Sequence, residues 1–262
     1  MQTFLVQVSP RGHRTESLCI LMNKSGISIV LLPGMDGSGT LFADFIAALG
    51  AEFDPIVVAY PPDKLLNYAA LEEVARSHLP LGKPFVILGE SFSGPIAISL
   101  AASNPDGLIG LVLSCTFARN PHSIFSPFKS IVNLLPVREK LLNLMWPLFF
   151  GRYASSQSRT LLRQALATVS PEVIRIRLTS VLEVDYSAQL KKVSIPLLYL
   201  RATDDYVVFP NASKYIKQLV PTLTQVDIKG PHLLLQAVPT AAAMAVRQFV
   251  SSNLASGDNS VI

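Results

Sequence analysis

The chain is poor in the residues that build staples and metal centres. Two cysteines, four histidines and one tryptophan stand among 262 residues. Cys19 and Cys115 cannot make a disulfide framework; they fit a reducing, cytoplasmic compartment, each filling core space. No cysteine and histidine spacing suits zinc, no glycine loop suits a nucleotide phosphate, and no segment repeats. Neither a metal nor an organic cofactor is therefore expected. No apolar run reaches the ~18 residues a membrane span needs. The greasiest stretch, Leu141 to Phe150, is interrupted by Asn143 and Pro147. The start of the chain has no basic region followed by an apolar core, so no export signal is read there. A net charge of +4 is too small to imply a nucleic-acid partner.

What the chain has is hydrophobic residues, 50% of the total, in short runs that alternate with amphipathic stretches of helical length. Strands are expected at Ile27 to Leu32, Pro55 to Tyr60, Phe85 to Leu88, Leu108 to Leu113, Pro196 to Leu200 and Thr224 to Ile228. Helices are expected between them, at Leu41 to Leu49, Tyr68 to Leu79, Ile96 to Ala102 and Ala212 to Leu219, with a last one at Ala241 to Phe249. Continuous apolar strands separated by helices predict a mostly parallel sheet covered on both faces. Phe4 to Val8 and Ser17 to Met22 add an antiparallel edge to that expectation, and the tail from Ser256 reads as frayed.

One segment breaks the alternation. Residues 119–186 are helical in pattern, lack strand runs, and are divided by Pro121, Pro127, Pro136, Pro147 and Pro171. This reads as a helical lid inserted into a core made of residues 1–118 and 187–262. Lids exclude water and shape a pocket. Between residues 120 and 185 stand eight basic and four acidic residues, so the net charge of the whole chain falls within this segment.

The chemistry is announced by Gly89-Glu90-Ser91-Phe92-Ser93-Gly94, which lies between an apolar strand and an apolar helix. A serine framed by small residues at a strand-to-helix turn is a nucleophile elbow. A serine hydroxyl needs a base, and that base needs an orienting carboxylate. Of His13, His78, His122 and His232, only His232 stands in a loop after the last strand, within Gly230-Pro231-His232. After the penultimate strand come Asp204 and Asp205; spacing to Val207 favours Asp204 as the orienting acid and leaves Asp205 to the neighbouring turn. Ser114-Cys115-Thr116, one strand earlier, offers no carboxylate. Two backbone N–H groups are needed for the oxyanion of a tetrahedral intermediate. Phe92, after the nucleophile, is one donor, and Met35, in the loop Pro33-Gly34-Met35-Asp36-Gly37-Ser38-Gly39, is the other. Gly34 permits close approach of substrate, and Asp36 organises its own loop through backbone hydrogen bonds. Glu90 is read as turned away from the reaction, holding a neighbouring loop.

Together, Pro33 to Gly37, Gly89 to Gly94, the Asp204 turn and Gly230 to His232 resemble the α/β-hydrolase superfamily. The resemblance covers nearly all of the chain outside residues 119–186. It implies an α/β-hydrolase fold with a helical lid after the sixth strand, and the triad Ser91, Asp204 and His232. Proline at 33 and serine at 93 depart from the commoner histidine and glycine; Ser93 reads as a tolerated small residue. Relatives that break carbon–halogen or epoxide bonds carry aspartate at the elbow, so serine points to acyl chemistry.

The expected activity is hydrolysis of a carboxylic ester through an acyl-enzyme, on a small-molecule or acyl-chain substrate. Trp146 and the aromatic residues near it, Phe125, Phe128, Phe149 and Phe150, would line the site with Leu144. The lid is similar to that of the pimeloyl-acyl-carrier-protein methyl ester esterases. That similarity implies an acidic carrier protein docked on Arg152, Arg159, Arg163, Arg175 and Arg177. The same constellation also serves thioesterases, acyltransferases and hydrolases of carbon–carbon bonds. Some members of the fold are small-molecule receptors with slow turnover.

Overall fold

The computed structural model describes residues 26–121 and 146–257, with side chains as far as residue 254. Six strands form one sheet: β1 (Ile27–Leu32), β2 (Phe53–Val57), β3 (Phe85–Glu90), β4 (Leu108–Ser114), β5 (Leu197–Ala202) and β6 (Thr224–Ile228). Their order is β2-β1-β3-β4-β5-β6, and all neighbours run parallel. The helices of the body are α1 (Ala43–Leu49), α2 (Tyr68–Arg76) and α3 (Gly94–Ala102). Between β4 and β5 come α4 (Ser156–Ala167), α5 (Pro171–Glu183) and α6 (Ser187–Leu190). Then follow α7 (Pro210–Leu219), α8 (Leu234–Ala237) and α9 (Pro239–Gly257). No described helix is long and apolar enough to cross a membrane.

Alternation along each strand divides the core into two layers, because successive side chains of a strand point to opposite faces. Val30, Leu32, Ile87, Leu111, Leu113 and Tyr199 pack under α2, α3 and α7. Ile29, Leu31, Val86, Leu88, Val112, Leu198 and Leu200 pack against α1 and α9 on the other side. Both faces are buried, so the strands read as unbroken apolar runs rather than alternating ones.

The strand spans expected from the sequence lie within a few residues of those observed. β2 starts earlier than expected and stops at Val57, short of Tyr60. Tyr60 instead gives its N–H to the Gly37 carbonyl (2.7 Å) and its hydroxyl to Ser93 (2.9 Å), so the chain leaves the sheet to serve a loop. Pro55 is tolerated within β2 because that strand is at an edge. α2 ends at Arg76 rather than Leu79, and starts on an Asn67 side chain that accepts from the Ala70 N–H (3.0 Å). The expected strands before residue 25 and most of the tail lie outside the described residues.

The excursion between β4 and β5 departs and returns at one place. The Tyr186 N–H bonds the Ala118 carbonyl (2.7 Å), and the Asn120 N–H bonds the Val184 carbonyl (2.9 Å). α4 starts on a reciprocal cap between Ser155 and Ser158. α5 starts on Ser170 with Pro171 in its first turn, where a missing N–H is harmless. Pro147 stands in the helical turn described over residues 146–150, while Pro127 and Pro136 lie outside the described residues.

Candidate active site

The strand order places the site. The chain runs from β1 outward to β2, then returns to β3 on the far side of β1, so the loops after β1 and β3 leave the same edge side by side. Ligand sites in open parallel sheets occur at such a switch point. Register makes the adjacency close: Leu32, the last residue of β1, is paired with Gly89. The loop over residues 33–39 therefore begins beside the turn that holds Ser91.

That turn is strained. Ser91 has φ of 48°, a left-handed conformation that costs a non-glycine residue about 1–2 kcal/mol. Packing enforces it. A Cβ at Gly89 would stand 2.6 Å from the Ala97 methyl group, and one at Gly94 would overlap Thr116. The Thr116 hydroxyl donates to the Ser91 carbonyl. Phe92 follows in the first turn of the helix, where a backbone N–H has no carbonyl one turn behind it. Its ring is stacked on Tyr68, with centroids 4.8 Å apart.

The structure brings Ser91 and His232 together. Ser91 Oγ lies 2.8 Å from His232 Nε2. The carboxylate facing the other ring nitrogen belongs to Asp205, not Asp204: Nδ1 lies 2.9 Å from Oδ2 and 3.1 Å from Oδ1. Asp205 Oδ1 also accepts from the Val207 and Val208 N–H groups, each at 2.8 Å, which orients the carboxylate. The expectation for Asp204 is thus corrected. Its side chain turns outward to Arg152 Nη2 and the Tyr153 hydroxyl, each at 2.8 Å. These partners hold its carboxyl below the usual carboxylate range, the Tyr153 hydrogen bond foremost. No sequence signal separates the two aspartates, since Asp204 has N–H groups at the same spacing; only the fold shows that Asp205 makes the Asx-type turn. The side chains of His232 and Asp205 are 2% and 4% exposed, so the pair is shielded from water. With Nδ1–H directed at Asp205, Nε2 is left as the acceptor for the Ser91 hydroxyl.

The loop over 33–39 is held by its carbonyls. Ser93 Oγ donates to the Pro33 carbonyl, and the Gly37 N–H donates to that of Gly34 (3.1 Å). Arg177 Nη1 donates to the carbonyls of Met35 (2.9 Å) and Asp36 (3.0 Å). Asp36 Oδ2 accepts from the Ser38 N–H (2.9 Å), as expected of an organiser of its own loop. Ser93 is more than a tolerated small residue: its buried hydroxyl ties the elbow to this loop and accepts from Tyr60. Gly34 has Asp36 and Glu90 oxygens 3.8 and 3.9 Å from where a Cβ would stand.

Glu90 is buried beneath this loop. Gln236 donates to Oε2 (3.2 Å), while Oε1 is buried with no partner among the described residues. Burial pushes its pKa up to about 8; the Gln236 hydrogen bond opposes the shift and the charge of Asp36 reinforces it. The group is accordingly a neutral acid at pH 7.

Apolar side chains from the excursion reach His232 and Met35. Phe149 lies beside His232, with ring centroids 6.2 Å apart, and its carbonyl accepts from the Leu233 N–H (3.2 Å). Trp146 is stacked on Phe150 at 4.6 Å, one residue removed from that contact. Met35 packs against the buried cluster of Val169, Val173 and Ile174, as do Leu166 and Leu178. Phe125, Phe128 and Leu144 lie outside the described residues. No three His, Cys, Asp or Glu side chains gather as a metal cluster among the described residues.

The arginines expected to form a docking face are differently employed. Arg177 is 1% exposed. Arg152 is paired with Asp204 and Arg175 with Glu172 (3.0 Å), while Arg159 lies over the Trp146 ring at 5.3 Å. Four of the five are committed within the chain, and the expectation of an acidic carrier protein finds no support in this geometry.

No family model matches the sequence. A putative carbamate hydrolase, RutD of Caulobacter sp. (strain K31), is 24% identical over 255 residues, covering 87% of this chain and 92% of the relative. Phytyl ester synthase 1 of Arabidopsis thaliana, a chloroplast protein, is 30% identical over 120 residues, which span 42% of this chain and 16% of that protein. Among solved structures, a thermophilic esterase from Thermogutta terrifontis superposes with a TM-score of 0.72 at 21% identity, over 87% of this chain and 91% of the other.

The state of Glu90 has a consequence for stability. A carboxyl whose pKa is raised on folding retains a proton that the unfolded chain has released. Between its ordinary value of 4.5 and about 8, folding therefore binds a proton, and stability falls as pH rises. Glu90 adds a slope of up to about 1.4 kcal/mol per pH unit in that window. Glu90→Gln, neutral at all these values, is expected to flatten the slope, measured as urea unfolding free energy from pH 5 to pH 8. Equal slopes in the two proteins would show Glu90 ionised in the native state.

Proposed function

From a chain that carries the α/β-hydrolase fold, we propose a serine hydrolase that cleaves a carboxylic ester or a related acyl bond through a covalent acyl-enzyme. The observation that carries this reading is the continuous contact of Ser91, His232 and Asp205 over the carboxyl edge of the sheet. His232 takes the Ser91 proton as the hydroxyl attacks the acyl carbonyl. Asp205 holds the imidazole tautomer and stabilises the imidazolium that forms. The oxyanion is received by the N–H groups of Met35 and Phe92. Because the Gly34 carbonyl is bonded to Gly37, the planar trans peptide directs the Met35 N–H the opposite way. His232 then protonates the leaving group and activates water for deacylation.

The apolar lining supports a lipophilic acyl or alcohol part, with residues 119–186 acting as lid. Phe149 stands beside the histidine, and Met35 packs on the apolar cluster of Val169, Val173 and Ile174. The relative named a carbamate hydrolase supports cleavage of an acyl bond to nitrogen or oxygen in the same framework. A second reading, transfer of the acyl group to an alcohol, is favoured by the local identity with a phytyl ester synthase. The two share the acyl-enzyme and differ in what attacks it.

Ser91→Ala is expected to lower turnover of p-nitrophenyl esters by at least about 10³-fold. Run across acyl chains of graded length, with and without a long-chain alcohol, the same assay separates hydrolysis from transfer by its products. Turnover that survives the substitution removes the mechanism.

The two aspartates make a further comparison. Asp205→Asn is expected to reduce kcat by about 10⁴-fold through the wrong imidazole tautomer. Asp204→Asn weakens contacts to Arg152, Tyr153 and Thr203, none of them to His232, and should stay within about tenfold of the parent, since exposed ion pairs contribute ~1 kcal/mol or less. Steady-state kinetics on one ester decides between them, and the reverse ranking would restore Asp204 as the acid.

A further inference from the structure

The excursion between β4 and β5 supplies a buried charge to the body. Arg177, on α5, is the largest fully buried side chain among the described residues. Its Nη1 donates to the Met35 and Asp36 carbonyls, and its Nη2 to that of Pro61 (3.2 Å). Its carbon centre lies 5.8 Å from the centroid of the Tyr60 ring. A guanidinium taken out of water is costly unless its hydrogen bonds are made. Here three are made to backbone oxygens, two of them in the loop that holds Met35. Gly37 (φ 71°) makes room for it, since a Cβ there would stand 2.5 Å from Nη1.

The bonds form a line. Arg177 Nη1 donates to the carbonyl of Asp36, whose peptide carries the N–H of Gly37. That N–H donates to the carbonyl of Gly34, whose peptide carries the N–H of Met35. In a trans peptide C=O and N–H point in opposite directions, so each bond polarises the next in the same sense. The chain of dipoles starts on a cation and ends on the Met35 N–H.

We propose that Arg177 is a positioning residue for the oxyanion site: it locks the 33–37 loop and polarises the Met35 N–H through two intervening peptides. The excursion would then be part of the reacting site's framework as well as its cover. This rests on the reading of Ser91 as nucleophile and Met35 as oxyanion donor. Lysine cannot reproduce the function, because one ammonium group lacks the planar fork that spans three carbonyls.

The test is Arg177→Lys, with Arg177→Met as a second variant, each first checked for a native circular dichroism spectrum and cooperative unfolding. Both are assayed on a matched pair of substrates, an ester and its thionoester, in which the carbonyl oxygen is replaced by sulfur. Sulfur is larger and a weaker acceptor, so fixed N–H donors favour the oxygen compound. A loosened loop is expected to lower kcat on the ester by about 10- to 100-fold, a fraction of the loss caused by deleting an oxyanion donor. KM should change little, and the ester-to-thionoester ratio of kcat should fall about tenfold or more. A purely structural role would lower both substrates together and leave the ratio intact, which would overturn the proposal. Wild-type turnover that persists in Ser91→Ala removes the earlier reading and this one with it. Turnover that depends on Ser91 while both folded variants keep the parent ratio removes only the role of Arg177.

Discussion

The pairing of β1 with β3 is the constraint on which the site depends. Leu32 lies opposite Gly89, so the loops that follow these strands start side by side although 57 residues of chain separate their strand ends. The 33–39 loop reaches the turn of Ser91 through that register. A slip by one residue would turn every side chain of β1 to the other face and empty both core layers at once. The register is thus protected by the burial of Ile29, Val30, Leu31 and Leu32, none of which has measurable exposure. Stability of the core and geometry of the site are the same fact seen from two ends of a strand.

A second coupling runs from β5 and β6. The Thr203 N–H bonds the Ile228 carbonyl, and the Asp204 N–H bonds that of Gly230, both at 2.9 Å. These bonds continue the strand pairing into the loops, so the chain that carries Asp205 is stitched to the chain that carries His232. The backbone of Asp204 thereby belongs to the site's scaffold while its side chain belongs to the surface beyond. Adjacent residues take opposite tasks because the turn after β5 presents Asp205 to His232, where the Val207 and Val208 N–H groups hold it, and leaves Asp204 to Arg152 and Tyr153.

Buried polar groups concentrate beneath the 33–39 loop. Glu90, Ser93, Tyr60 and Arg177 lie there with Asp36 of the loop itself, while the other buried residues among those described are overwhelmingly apolar. A low-dielectric surround strengthens each hydrogen bond that is made and penalises each that is not. Such a cluster holds a loop in one conformation more firmly than apolar packing does, because its bonds are directional. Glu90 accommodates itself differently, by keeping its proton, since Gln236 alone does not compensate a buried carboxylate beside Asp36.

Much of this was legible in the chain before any coordinates. Apolar runs of strand length, the small residues around Ser91, and the position of His232 after the last strand are local signals, and local signals survive in sequence. Serine 91 and histidine 232 needed only the rule that a turn at a strand's end exposes its residue. The choice between Asp204 and Asp205 was not local in that sense. It depended on which carboxylate faced away from Arg152 and Tyr153, residues some fifty positions distant. Arg177 was misread as a surface charge for a related reason: composition reports that an arginine is basic, not that it is buried. Its spacing from Val173 and Ile174, which share the buried stripe of α5, was the available hint. The sequence by itself determined the parallel sheet, its two apolar faces and the serine turn, because burial patterns and backbone strain are written in neighbouring residues. Only the tertiary structure decided which aspartate met the imidazole and where the guanidinium of Arg177 came to rest, because both answers depend on partners that the chain brings near only when it folds.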